Sequence, residues 1–151
     1  MDKLLAFLES QRLLVIASAD NEPWIANVFY GIDANFKLYF ISNQETKHSQ
    51  QILESPMIAF SVAWYNPSNH KDRKAVQGKG LCRIAKNNEE IETGIRLHNT
   101  NFPEFADRIT VEWAKNASNL SKVWVVEPTY MKFWNDGLYG DDETKEFIFD
   151  K

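Results

Sequence analysis

The sequence predicts a mostly β fold: a small antiparallel barrel with peripheral helices, formed by residues 1–151 as a single domain. Three observations carry that expectation. Six or seven runs rich in β-branched and aromatic residues follow one another, separated by turn signals such as Asp20-Asn21-Glu22-Pro23 and Asp33-Ala34-Asn35. Only two or three segments have helical spacing, and they are inserted between strand runs instead of alternating with each one. Aromatic residues make up 13% of the chain, with five Trp and ten Phe, a supply that suits a β-rich core and a site or interface built from flat rings.

Taken in order, Leu4, Leu5 and Leu8 recur at helical spacing and predict an opening helix. "RLLVIASA" (residues 12–19) is β-branched and apolar enough for a first strand, and the turn at 20–23 leads to a second, "WIANVFYGI" (24–32). The turn at 33–35 returns the chain as "FKLYFIS" (36–42), so the first three strands are expected to form a meander. A short helix follows over residues 45–54, ended by Ser55-Pro56 because the residue before a proline is pushed out of the α region. "MIAFSVAWY" (57–65) and "KAVQGKGLCRIA" (74–85) predict the fourth and fifth strands. "NNEEIETGIRLH" (87–98) predicts a helix whose acidic first turn suits the positive end of its dipole, and residues 102–119 read as partly helical. "SKVWVVEPTYMKFWN" (121–135) is a long strand in which Pro128 cannot donate to a ladder, which implies an edge or a bulge there. "NDGLYGDD" (135–142) reads as a hairpin connection to a last short strand, "KEFIF" (145–149).

Composition removes several function classes. A net charge of −4 and a pI near 5.4 leave no basic footprint for nucleic acid, and "HKDRK" (70–74) reads as a solvated loop. The single Cys82 excludes an internal disulfide and fits a reducing compartment. No signal-length apolar run opens the chain and none approaches the about 18 residues of a membrane span, so a cytoplasmic location is expected. His48, His70, His98 and Cys82 are dispersed without metal-ligand spacing, so no metal is expected. No G-x-S-x-G, P-loop or G-x-G-x-x-G occurs, and Asp141-Asp142 read as solvent-facing turn residues. With no team of catalytic side chains, redox chemistry would have to be carried by a cofactor.

The most informative stretch is "LYFISNQETKHSQQIL" (38–53). Ser42-Asn43-Gln44-Glu45 has the form of a capping box, which accounts for Ser42 and Glu45. Thr46, Lys47 and His48 then fall in the first turn of the helix, where the dipole already places about half a positive charge. Cations there are misplaced unless an anion lies between them, and a helix N-terminus with a hydroxyl and an ammonium suits a phosphate; a solvated surface lysine is the alternative. Asn27, between Ile25 and Phe29 on one strand face, is expected to be a buried amide that ties down a loop or contacts a ligand. Gly78 and Gly80 strip one face of a strand, for a tight corner or for the close approach of a ligand.

Together the segments "LLVIASADNEPWIANVFYGID", "LYFISNQETKHSQQILESPMIAFSV", "AVQGKGLCRI" and "VEPTYMKFW" resemble the pyridoxamine 5'-phosphate oxidase-like family of flavin mononucleotide (FMN)-binding split barrels, over nearly the whole chain and most closely a short bacterial branch. The resemblance implies an antiparallel FMN-binding split barrel with FMN as cofactor. It implies that Ser42, Asn43, Thr46 and Lys47 surround the FMN phosphate with His48 close by, and that Val28, Phe29 and Tyr30 offer backbone groups to the polar edge of the flavin. Gln77 and Trp134 would reach a flavin from the neighbouring subunit of a homodimer, with the flavin sites at the subunit interface. The activity implied is that of an oxidoreductase on a small molecule. One departure stands out: after Phe133-Trp134 the family's oxidases carry an arginine- and histidine-bearing stretch that grips the substrate phosphate, and this chain has Gly140 and Asp142 instead. The vitamin-forming reaction is therefore not expected. A haem-binding split barrel, or a barrel that binds flavin or another ligand without turnover, are the alternative readings.

Overall fold

The computed structural model describes residues 1–150. Eight strands form one antiparallel sheet: β1 (Leu13–Ala19), β2 (Pro23–Phe29), β3 (Gly31–Ile32), β4 (Leu38–Asn43), β5 (Met57–Trp64), β6 (Lys74–Ile84), β7 (Ser121–Asn135) and β8 (Thr144–Ile148). Hydrogen-bonded neighbours run β2-β1-β5-β6-β7-β4-β3, and β8 adds to β7. The helices are α1 (Asp2–Ser10), α2 (Lys47–Glu54), α3 (Asn88–Asn101), α4 (Val111–Lys115) and the single turn α5 (Asp136–Tyr139).

The strand order explains how the sheet closes. Its two ends, β2 and β3, are consecutive in the chain, so the sheet must curl until those ends meet. They meet through Tyr30 alone: β2 pairs with β1 and β3 pairs with β4, while no ladder joins β2 to β4. The expected strand over 24–32 is thus broken in two, and the expected meander is a split barrel closed covalently instead of by hydrogen bonds. The break has a cause. The Tyr30 phenol donates to the Leu8 carbonyl, its N–H donates to the Arg12 carbonyl at 3.1 Å, and its carbonyl accepts from Asn101 Nδ2 at 3.3 Å. These bonds tie its backbone to the segment after α1 and to α3.

Inward-facing side chains of every major strand fill the barrel, among them Leu14, Ile16, Phe60, Val76, Trp124 and Phe133, and Leu4 and Leu8 of α1 plug one end. Leu4 and Leu8 are buried at the helical spacing that predicted α1. A second cluster, including Tyr39, Ile95 and Val125, seats α3 on the outside of β4 and β7. Beside it Arg83 makes a two-pronged bond to Glu90 (2.9 and 2.8 Å) and a third bond to Glu127 (2.8 Å), and Lys37 lies 3.5 Å from Glu90. Those contacts hold the Glu90 carboxyl down at about 2.

β7 pairs with β6 along its length, with β4 through its first half and with β8 through its second. The predicted irregularity at Pro128 is present: the β6–β7 register passes from Lys79↔Tyr130 to Gly80↔Pro128 and leaves Thr129 unpaired. Gly80 is required there, because a Cβ would sit 2.4 Å from the Glu127 carbonyl oxygen. At Gly78 a Cβ would sit 2.4 Å from Cζ of buried Phe60. Both glycines therefore admit groups of the chain itself, the tighter of the two readings their spacing allowed. Residues 102–119 contain a 3-10 turn (Pro103–Phe105) and α4, as the mixed pattern suggested. The connection over 135–142 is a helical turn and not a plain hairpin, because Asn135 Oδ1 caps it by accepting from Leu138 N at 3.1 Å. Among the described residues no helix is long and apolar enough to cross a membrane.

Candidate functional site

The connection from β4 to α2 is organised by Asn43. Its side chain accepts from Glu45 N at 2.9 Å, and its carbonyl accepts from Thr46 Oγ1 (3.0 Å) and Ser49 Oγ (2.9 Å). The N-cap is Thr46, whose Oγ1 accepts from Ser49 N at 3.3 Å, and α2 starts at Lys47. The expected Ser42–Glu45 capping box does not form. Ser42 is still paired with Lys122 in the β4–β7 ladder, too extended to cap, and its hydroxyl instead meets His48 Nε2 at 2.8 Å.

The two first-turn cations resolve differently. His48 is half-buried, its Nε2 shared between Ser42 and Thr46 Oγ1 (3.3 Å), and burial pushes its pKa below the ordinary value, so at neutral pH it carries no charge. Lys47 reaches back over the β1–β2 turn, where its ammonium pairs with the Glu22 carboxylate and lies 4.1 Å from the centre of the Trp24 ring. The turn is itself tied to α2: the Glu22 carbonyl accepts from Gln51 Nε2 (3.1 Å), and Gln51 Oε1 accepts from buried Ser18 (2.7 Å). The backbone N–H groups of Lys47 and His48, like those of any first helical turn, have no acceptor within the helix. The corner thus offers two oriented amides and one ammonium, with an anionic group already on the ammonium.

Opposite this corner runs the free edge of β2, which lies against β4 and α2 without pairing to either. Val28 points inward against the core, and Phe29 is exposed on the other face with its ring stacked on Phe102 at 4.4 Å. Tyr30, 1% exposed, has its N–H and carbonyl both engaged within the chain, whereas Phe29 beside it falls at the alternate ladder position, whose backbone groups face the free edge. Burial pushes its phenol pKa up. Asn27 is exposed, contrary to the expected buried amide, because its strand face, shared with Ile25 and Phe29, points away from the barrel interior.

Gln77 and Trp134 are not at this corner. They stand on the outer face of the sheet, Gln77 three strand positions from β2, a path of about 14 Å along the sheet. Gln77 lines a shallow groove of about 310 Å³ with Ala59, Lys79, Tyr130 and Lys132. Trp134 is fixed locally: its Nε1 donates to Asp136 at 3.0 Å and the Arg73 guanidinium lies 5.0 Å from its ring centre. Arg73 also bonds Asp136 (2.7 Å) and Asp142 (2.8 Å), so the loop after Trp134 folds back onto a cation that it neutralises. The same outer face exposes Leu13 and Phe29, which are cross-strand partners on β1 and β2, and Ile25 further along β2.

Sequence reading missed Glu22, Trp24 and Arg73. Lys47 lies 25 residues from Glu22, and Arg73 lies 63 from Asp136, so only the closed sheet brings either pair together.

The chain matches the family described as pyridoxamine 5'-phosphate oxidase over residues 1–135. No curated protein matches it significantly. Among solved structures it is similar to a candidate pyridoxamine 5'-phosphate oxidase from Listeria innocua (19% identity, TM-score 0.67, covering 89% of this chain and 97% of that one). It is also similar to a haem-binding protein from Mycobacterium smegmatis (13% identity, TM-score 0.73), covering 95% of this chain but only 56% of that longer one. A third similar structure is HutZ, the haem storage protein of Vibrio cholerae (12% identity, TM-score 0.66, covering 97% and 92%). At these identities the structures speak for the fold alone. The family match over most of the chain and a sheet that closes as a split barrel agree, and the chain belongs to the pyridoxamine 5'-phosphate oxidase-like split-barrel family.

Proposed function

We propose that this protein is an FMN-binding flavoprotein that oxidises or reduces a small molecule, working as a homodimer in the cytoplasm. The observation that carries the reading is the juxtaposition of the unpaired edge of β2 with the start of α2, where Lys47 already holds an anionic group. The donor set fits a phosphate: the Lys47 ammonium and the first-turn amides of Lys47 and His48 at the positive end of the helix. Thr46 fixes the helix start, and Ser42, Asn43 and neutral His48 hold the connection in shape around it. Along the opposite wall, Val28 and Phe29 bring the β2 edge to the polar rim of a flat ring, with Tyr30 as the anchored hinge. Bound FMN supplies hydride chemistry; the barrel supplies position and excludes water.

The homodimer follows from what one chain leaves undone. The outer sheet face beside β2 exposes Leu13, Ile25 and Phe29, and an isologous contact there would bury them in both copies. Gln77 and Trp134, remote from the corner of their own chain, then serve the partner's. The substrate does not carry a phosphate into the loop after Trp134, because Arg73, the cation bonded to that loop, is already held by Asp136 and Asp142.

Two similar structures are of haem proteins, which makes haem the competing ligand. The histidines here do not favour it. His48 directs Nε2 at Ser42, the His98 ring lies against Phe102 and Phe105 with Nδ1 at Asn99, and His70 stacks on exposed Tyr65. The absorption spectrum of freshly purified protein tests the assignment. Flavin bands, with FMN released on denaturation, are expected; a Soret band, or no chromophore and no uptake of added FMN, refutes it. Turnover is then tested by following flavin reduction under a panel of small-molecule donors, and failure of every donor would leave a flavin-binding barrel without catalysis.

A further inference from the structure

We infer that Glu22 is a built-in competitor for the phosphate corner: its carboxylate occupies Lys47 in the free protein and must be exchanged for the ligand's phosphate. The inference rests on the flavin reading above and adds to it a residue that limits how tightly the cofactor is held.

Three features of the β1–β2 turn support it. Glu22 is delivered to Lys47 by a fixed backbone, since its carbonyl is bonded to Gln51 of α2 and Gln51 is bonded to buried Ser18. The Lys47 ammonium is held between that carboxylate and the Trp24 ring at 4.1 Å, so it is already placed before any ligand arrives. Yet both partners are surface groups, 44% and 60% exposed, and an ion pair in that setting is weak and readily exchanged.

A phosphate monoester outcompetes the carboxylate because it carries nearly two charges and three acceptor oxygens, and because it also engages the first-turn amides of α2. A singly charged anion gains little over Glu22 and is kept out. A neutral ligand end has no use for Lys47 and leaves the pair intact. Once displaced, the Glu22 carboxylate stays tethered beside the phosphate by its anchored turn and repels it. Both effects lower phosphate affinity, so FMN is held exchangeably.

The test is titration of FMN and of riboflavin, followed by flavin fluorescence, into the full-length protein and its Glu22→Gln, Lys47→Ala and doubly substituted forms. Glu22→Gln should bind FMN about three- to tenfold more tightly, since an exposed pair is worth up to roughly fivefold and relief of repulsion adds to it. Riboflavin affinity should change less than about twofold on the same argument. In the Lys47→Ala background the gain should shrink, because no ammonium remains to be released. FMN affinity that is unchanged or weaker in Glu22→Gln overturns the proposal while the flavin reading stands. A gain shared equally by riboflavin, or one that persists in full without Lys47, also overturns it. If no form binds either flavin, the flavin reading fails and the competitor role fails with it.

Discussion

Replacing Lys47 by alanine separates the ligand role of this side chain from its structural one. In the free protein the ammonium contributes an exposed pair with Glu22, worth about 0–1 kcal/mol, and a contact with the Trp24 ring, worth about 0.5–1 kcal/mol. Its removal should therefore lower the melting temperature by no more than roughly 4–8 °C for a domain of this size. For a phosphate ligand the loss is larger. A charge-assisted hydrogen bond contributes about 1.5–3 kcal/mol, from which the weak Glu22 pair broken on binding must be subtracted. The net, about 1–2.5 kcal/mol, corresponds to FMN binding about five- to seventyfold more weakly. Parallel titrations of FMN and riboflavin, with thermal melts of the same samples, read both effects. Equal loss of the two ligands, or undiminished FMN binding, would show that Lys47 does not hold the phosphate.

Other outcomes follow from the same geometry. Gly78→Ala places a methyl 2.4 Å from the Phe60 ring and should destabilise the fold by about 1–3 kcal/mol, with partial recovery in Gly78→Ala/Phe60→Leu by thermal melting; a variant that melts normally but loses its flavin would return Gly78 to a ligand role. The Glu90 carboxyl, held at about 2 against an ordinary 4.5, contributes stability above the ordinary value that is lost as pH falls through the interval between them; urea unfolding should show this slope in the native protein and a shallower one in Glu90→Gln, and equal slopes would contradict it. Pyridoxamine phosphate should not be converted by the flavin-loaded protein, because Arg73 is committed to Asp136 and Asp142; oxygen-dependent formation of pyridoxal phosphate would refute this. With flavin sites shared in the proposed homodimer, FMN affinity should fall on dilution, and sedimentation of a monomer that keeps its FMN would refute the shared site.

The strands were legible because each is a β-branched or aromatic run bounded by turn residues, and the irregularity at Pro128 because proline has no N–H to give a ladder. What a local reading could not contain was the break at Tyr30, where partners on Leu8, Arg12 and Asn101 override a continuous strand pattern. The same limit explains the candidate site. The residues around α2 were found because they are neighbours in sequence, but the capping box was placed one turn early, since only the ladder to β7 shows that Ser42 is still extended. Asn27 was expected to be buried because an amide among apolar residues looks like core, whereas the face it shares with Ile25 is the outside of the sheet. The partners of these two side chains, a half-buried hydroxyl pair for His48 and a carboxylate from another turn for Lys47, were invisible for the same reason.

The unpaired edge of β2 also bears on how the protein behaves at high concentration. A strand with open backbone donors and acceptors is a template onto which another chain can add, and β2 has few of the usual deterrents: one proline at its start, no lysine along its length, and Ile25 and Phe29 exposed. A ligand bound beside that edge would also shield it from strand addition. Ligand-loaded protein should then stay dispersed at concentrations where the bare protein is expected to aggregate, which would make ligand supply during expression a determinant of soluble yield.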